Sequence, residues 1–393
     1  MTEEIDNMRV RFYGVQGSDA IYPDCRERAS IHDLDRDRLL RKVFDEIAGR
    51  DHGRTSSPEL AKLLEGDCTP EAIEAYRRSL QLELPVSYGG WTTCVHVETS
   101  EGNDIVLDCG TGFRNCAVDL QEKWGDAKKR QLFILGSHSH IDHTIGFDQA
   151  AVCHDPRNLI HVVGNEQFLT ALDRNLGVFT QHVSDSVVGV QTPLHFEMMA
   201  ATFEGTLIVH DYAPKSTRHE RLAAQTFSSS RPLKLGKTSI RAFEVYHPAP
   251  CLAYRVDHGN KSFVFCTDHE LRHGNDANDP QQKASLIAEQ RLREIAADAD
   301  LLYRDGQFQR PEYDGEVGIG RSAPLSRMDW GHSCIEDILE MAAECRINET
   351  LIGHHDPSRT WQERSQLDER LAQHQQDTGQ AVRLARAETV VNL

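Results

Sequence analysis

No Cys-X-X-Cys pair occurs among the ten cysteines of this 393-residue chain, and no stretch approaches the roughly 18–20 consecutive apolar residues of a membrane span. The first absence argues against a cysteine-rich zinc module or a disulfide framework. Thiols set inside apolar runs such as "FVFCTD" read instead as reduced and mostly buried. The second absence argues against a membrane-spanning helix. Basic residues are scarce: 43 Lys and Arg face 61 Asp and Glu, a formal charge of -18. Such an excess works against loose binding to a phosphate backbone, so an RNA partner is disfavoured and would need a local basic patch. The N-terminal "MTEEIDNMRVRFYG" is acidic where a signal peptide is basic and then apolar, so a cytoplasmic protein is expected. Internal repeats and low-complexity segments are also missing.

What is present is an ordinary globular composition, 39% hydrophobic and 26% charged, in a chain long enough for one large α/β unit with insertions. "MRVRFYG" reads as a first strand. From about 23 to 85 the text turns charged and helical: Leu39, Leu40, Val43 and Ile47 recur at helical spacing, and "TPEAIEAYRRSLQLEL" opens with a Thr cap and Pro. We read one domain over 1–393 carrying this helical insertion. "TTCVHVETSEGNDIVLDCGTG" is two strands around a Gly-Asn turn, and "LAYRVDHGNKSFVFCTDHE" is another hairpin. Helices are expected near 281–297, over "CIEDILEMAAECRI" and at 360–375, and a last strand near 381–391. A polar stretch at 214–232 reads as a loop near the site. Strand hairpins first and helices later, in both halves, imply two mixed sheets packed face to face with helices outside.

The informative stretch is "FILGSHSHIDHTIG". A short buried strand, "RQLFILG", ends in His138, His140, Asp142 and His143. An alternating His pair on extended chain puts both rings on one face, and imidazole and carboxylate are donors for zinc, manganese and iron. Asp142 and His143 can then serve a second ion. "LKLGKTS" does not make a phosphate loop, because Arg231 stands where a Walker glycine is needed.

On these residues the chain resembles the metallo-β-lactamase-fold hydrolase superfamily. Asp108 in "IVLDCGTG", the "SHSHIDH" run, His247 in "VYHPAPCLAYR", Asp268 in "VFCTDHE" and His354 in "LIGHHDP" follow the order of that family's motifs from about residue 9 to the last strand. The stretches "GVQGSDAIYP", "GGWTTC", "DWGHS" and "GHHDPSRT" look most like its phosphodiesterase branch, which includes tRNase Z and cyclic-phosphate phosphodiesterases. The resemblance implies a four-layer αββα sandwich. It also implies two divalent ions, zinc or manganese with iron also suited. His138, His140 and His247 would hold one, Asp142, His143 and His354 the other, and Asp268 would bridge. Hydrolases of this design keep two ions about 3.5–4 Å apart.

The separation of His247 from Asp268 by 21 residues supports the same grouping, because a hairpin between them returns the chain to one sheet edge. His332 in "DWGHSC" is implied as a phosphate-contacting acid, with Ser333 or a neighbour capping the next helix. Asp142 is expected to act in catalysis as well as binding, and Asp108 to orient a ligand imidazole rather than bind metal. His269 and His355, each beside a ligand position, point to the opposite face. Asp305 ends a strand and is a weaker candidate for support of the site. Trp91 stands where relatives often carry Asn, which bears on substrate size.

The expected activity is therefore hydrolysis of a small phosphodiester such as a cyclic nucleotide. A tRNase Z-like RNA-processing endonuclease is the alternative, and a lactonase or thioesterase a further one. A purely structural metal protein is disfavoured, since a structural site closes its coordination. The helical insertion could serve as a lid or as the contact of a homodimer.

Overall fold

Apolar runs rich in Val, Ile, Leu and Phe supply fourteen strands among the described residues. The computed structural model describes residues 7–21, 88–177, 199–207 and 232–393 apart from positions 129, 149, 275 and 277, together with isolated positions between 22 and 87. By contacts the chain divides into Tyr22–Ser87 and a larger unit of Met1–Ile21 with Tyr88–Leu393. The helical insertion expected at about 23–85 lies, isolated positions aside, outside the described residues, as does the polar stretch at 214–231.

The larger unit holds two seven-stranded mixed sheets. The first contains β1 (Met8–Gly14), β2 (Cys94–Thr99), β3 (Asp104–Leu107), β4 (Arg130–Leu135), β5 (Asn158–Gly164) and β6 (Thr202–Leu207) in that order, with β14 (Val390–Asn392) beside β1. The second contains β7 (Leu233–Leu235), β8 (Thr238–Val245), β9 (Cys251–His258), β10 (Lys261–Cys266), β11 (Leu301–Asp305), β12 (Glu349–Gly353) and β13 (Ala381–Leu384) as successive neighbours. Each sheet is antiparallel in its hairpin part and parallel where helices make the crossovers.

The sheets pack face to face. Phe12, Val95, Ile105 and Phe133 of the first meet Tyr254, Phe263, Phe265 and Tyr303 of the second in one buried cluster, with the Phe12 and Tyr303 rings 5.4 Å apart. Alternation along β3 turns Ile105 and Leu107 inward and Val106 outward, where Val106 packs on Phe113, Cys116, Ala117 and Leu120 of α1 (Phe113–Trp124). Helix α2 (Glu166–Gly177) covers the same outer face through Phe168, Leu169 and Leu172. On the far side, Leu292 and Ala296 of α3 (Pro280–Ala296) and Met341 of α5 (Ile335–Glu344) cover Val264, Cys266 and Leu302. A short turn, α4 (Arg310–Tyr313), and α6 (Trp361–Thr378) complete the described helices. This is the αββα arrangement expected from the sequence.

Two local expectations change. The single strand near 381–391 is two: β13 joins the second sheet and β14 crosses to the first, because the chain turns at 385–389, where Glu388 has φ 67° and Ala385 N–H is used by Ile352. Ser333 does not cap α5. Its hydroxyl donates to the His269 carbonyl, and the N-cap position is Cys334, which offers no side-chain cap bond. All eight described cysteines are free and buried, and no described helix is long and apolar enough to cross a membrane.

Candidate metal centre

The site lies where β3, β4, β8, β10, β11 and β12 end, and the chain turns sharply there to aim its side chains. Three of the predicted residues, Asp108, Asp268 and His354, have φ of 61°, 44° and 56°. Left-handed backbone is uncommon outside glycine, with Asp and His among the enriched exceptions, and it redirects a side chain that would otherwise follow the strand pleat. Glycines fill the space these turns need. A Cβ on Gly17 would come within 2.5 Å of His354 Cε1 and 2.9 Å of its Cγ, so the ring lies directly against that glycine.

His138, His140, His247 and Asp268 can each offer one ligand atom within 4.8 Å of the others, and Asp142, His143 and His354 do the same. Asp268 links the two groups. Its Oδ2 is 3.5 Å from His138 Nε2, while its Oδ1 is 3.3 Å from His143 Nε2 and 3.1 Å from His354 Nε2. Asp142 Oδ2 lies 3.1 Å from His143 Nε2 and 3.3 Å from His354 Nε2, and accepts the Ser18 N–H at 2.9 Å. The seven residues expected as ligands therefore converge on one place, in the two groups the resemblance implies.

Whether these residues fit divalent ions can be judged from their unused atoms. The Nε2 atoms of His138 and His143 are buried and find no hydrogen-bond partner among the described residues. An unsatisfied buried nitrogen is costly. Both atoms lie 3.3–3.5 Å from the Asp268 carboxylate without bonding to it, a separation that leaves room for a shared cation, so donor set and spacing fit a metal centre. Burial holds the His138 imidazole well below its usual range and brings His247 down to about 4, whereas at His143 the Asp142, Asp268 and Asp108 carboxylates outweigh burial and push the imidazole well above it. Burial also opposes ionisation of Asp268, but the imidazoles of His354 and His143 outweigh it and hold the carboxyl well below the usual range.

The surroundings fix which ring nitrogen faces the centre. Asp108 accepts from Ser137 N and Oγ at 2.6 and 2.7 Å and from His143 Nδ1 at 2.8 Å. From this turn it holds the His143 ring by its Nδ1, which leaves Nε2 facing the centre. His247 Nδ1 donates to the Gly331 carbonyl at 3.1 Å, and His354 Nδ1 faces Gln307 Oε1 at 3.1 Å. His354 N–H donates to the Tyr303 hydroxyl at 3.1 Å. His269 and His355 do point away, to Glu289 Oε2 at 3.0 Å and to the Ala385 carbonyl at 2.8 Å.

His332 stands beside the ligand groups. Its ring stacks on His354 at 4.8 Å, and its Nδ1 is 2.8 Å from Asp305 Oδ2. Burial disfavours its charge, but Asp305 outweighs burial and raises the imidazole to about 9. Asp305, weakly marked in the sequence, is thus the partner that orients and charges His332. Gln307 and Ser137 carried no sequence signal, since single polar residues past strand ends are common, and Tyr303, inside β11, reads as an ordinary core aromatic. The Trp91 carbonyl accepts from Val15 and Gln16 N–H at 3.0 Å each, just past the end of β1.

A family model described as "Beta-lactamase superfamily domain" matches residues 103–355, a span that contains Asp108, His332 and all seven ligand positions. No curated protein matches the sequence significantly. Among solved structures, the chain is similar to Zn(2+)-bound PqqB from Methylobacterium extorquens, at 12% identity and a TM-score of 0.52, covering 98% of this chain and 100% of that one. It is also similar to the short form of human tRNase Z, at 14% identity and a TM-score of 0.48, covering 98% of each chain. A diphosphatase of the PhnP family is similar at 13% identity and a TM-score of 0.49, over 98% of this chain and 97% of that one. At these identities the likeness bears on the fold.

Proposed function

The chain belongs to the beta-lactamase superfamily, a family of metal-dependent hydrolases, and from that premise we propose that it hydrolyses a small phosphodiester, a cyclic nucleotide being the best fit. The observation that carries this reading is His332. A buried imidazole that is paired to Asp305, stacks on the His354 ring and reaches the centre beside Asp268 and His354 suits a reaction that loads charge onto phosphoryl oxygens and expels an alkoxide.

Two bound divalent ions would neutralise phosphoryl charge and activate water there. His138, His140 and His247 would hold one ion and Asp142, His143 and His354 the other, with the Asp268 carboxylate available to both. His332, its Nδ1 committed to Asp305, presents Nε2 to the leaving oxygen and gives up its proton; Asp305 keeps the ring aimed and stabilises the positive charge before transfer. Asp142, fixed by the Ser18 N–H, orients the attacking water as well as binding.

The rim supports a substrate with a planar apolar part. Trp330, one residue from Gly331, is 44% exposed and carries the Arg327 guanidinium over its ring at 4.3 Å, while Ile141 and Ile145 of the ligand turn are 58% and 42% exposed. An exposed indole stacks with a nucleobase irrespective of its identity. The net charge of -18 favours a small substrate over an RNA chain.

The test is turnover of bis-p-nitrophenyl phosphate by metal-analysed protein, beside cyclic nucleotides and a nitrophenyl ester. Phosphodiester hydrolysis that is lost on chelation and restored by manganese or zinc is expected. Ester cleavage without phosphodiester hydrolysis would overturn the proposal in favour of carboxyl chemistry.

A further inference from the structure

The segment after β10 does more than supply Asp268. Two residues on, Glu270 is fully buried, and its carboxylate accepts three bonds: from Tyr313 Oη at 2.5 Å and Asp329 N at 2.9 Å on one oxygen, and from Gly331 N at 2.9 Å on the other. Its own backbone is tied as well, N–H to the Tyr246 carbonyl at 2.9 Å and carbonyl from Ser285 Oγ at 2.7 Å. Arg272 adds to the grip, its Nε donating to Asp329 Oδ1 at 2.7 Å. Asp329 and Gly331 have φ of 69° and 92°, so this stretch is held in left-handed turns that its own sequence only partly favours. The Gly331 carbonyl, on the residue whose N–H Glu270 receives, accepts from His247 Nδ1, and the next residue is His332.

We propose that Glu270 is a positioning residue that sets the His247 ring for metal binding, acting through Gly331 and the 329–332 turn. A carboxylate is the group the geometry requires, because every partner is a donor and no water-exposed alternative exists for it. Charge-assisted bonds to two backbone N–H groups fix the 328–329 and 330–331 peptides, and the φ of 92° at Gly331 then sets the direction of its carbonyl on the following peptide. That carbonyl decides that His247 carries its proton on Nδ1 and turns Nε2 toward His140 and Asp268. The bridging carboxylate and the residue that orders the neighbouring turn thus lie on one rigid segment, so ion binding and the order of the turn are coupled in both directions. The proposal rests on the metal-centre reading above and is independent of the phosphodiester reading.

The test is Glu270→Gln in the full chain, followed by zinc titration and by amide hydrogen exchange of the zinc-free protein. Glutamine keeps the shape but turns one acceptor into a donor, so either the Gly331 or the Asp329 and Tyr313 bonds are opposed. One of two zinc equivalents is expected to weaken by about 10- to 100-fold while the other is retained. Exchange is expected to quicken over 329–333 with β10 and α3 unchanged. Equal weakening of both equivalents would mark mere destabilisation and overturn the proposal, as would wild-type affinity or unchanged exchange in the turn. If Glu270→Gln loses the protection of β10 and α3, Tyr313→Phe decides: faster exchange confined to 329–333 supports the proposal, and no change overturns it. A wild-type protein that takes up no zinc would remove the metal-centre reading and the proposal with it, whereas zinc uptake without phosphodiester turnover would leave the proposal standing.

Discussion

Gly17→Ala should disable the centre without unfolding the protein. A Cβ there would lie 2.5 Å from His354 Cε1 and 2.9 Å from Cγ, with Nδ1 nearer still, against ordinary carbon contacts of about 3.5–4 Å. The overlap of about 1 Å cannot be relieved cheaply. The backbone at Gln16 and Gly17 is bonded to the Trp91 and His355 carbonyls at 3.0 Å, and the His354 ring is stacked with His332 at 4.8 Å and tied to Gln307 at 3.1 Å. Overpacking of this kind costs about 1–3 kcal/mol. The part of it borne by the ring weakens zinc held with Asp142 and His143, and a ligand displaced by about 1 Å lowers turnover by about 100-fold. Circular dichroism, zinc stoichiometry and bis-p-nitrophenyl phosphate turnover measure the three effects. Gly102→Ala is the control: its φ is 79° but nothing lies within 4 Å, so it should cost about 1–2 kcal/mol of stability and no activity. Wild-type zinc content and turnover in Gly17→Ala would refute the reasoning that His354 is a ligand held against that glycine.

Other substitutions separate the roles. Asp268→Ala removes the carboxylate shared by both groups and should abolish turnover and lower bound zinc while most of the fold persists; full activity would sink the dinuclear assignment. His332→Ala should lower kcat by about 100- to 10,000-fold with zinc content unchanged, a split that metal analysis and steady-state kinetics resolve. Glu289→Ala leaves the fully buried Arg304 guanidinium, now 2.6 Å from that carboxylate, without its partner, and should cost about 3–5 kcal/mol in chemical denaturation. The same pair gives an acid dependence. Burial opposes ionisation of Glu289, but Arg304 and His269 outweigh it and hold the carboxyl well below its usual 4.5. Its contribution to stability is therefore full above about pH 4.5 and lost as pH falls toward its folded value, and Glu289→Gln should lack that part of the acid sensitivity.

How much of this was legible in the sequence depends on how each residue signals. His138, His140, Asp142 and His143 crowd six positions after an apolar strand, so their purpose shows without a structure, and the hairpin between His247 and Asp268 betrays that those two return to the same edge. The sandwich was legible for a related reason: period-two alternation in β3 and the Gly-Asn turns announce strands whose inward faces must meet. Asp305 was underrated because it gains meaning only from His332, which is 27 residues away and on another element. Glu270 was invisible for a stronger reason. A lone acid after "TDH" normally reads as a solvated turn residue, and it becomes something else only because α4 and the 329–331 turn close over it with three donors. The same holds for Gly17 and Gly331, whose missing Cβ matters only once His354 and His247 are seen to fill the space. Local spacing exposes groups that bind a ligand together from one segment, whereas groups that bind each other across segments leave no local trace. The orientation of this centre, as distinct from its ligands, is therefore written in long-range hydrogen bonds.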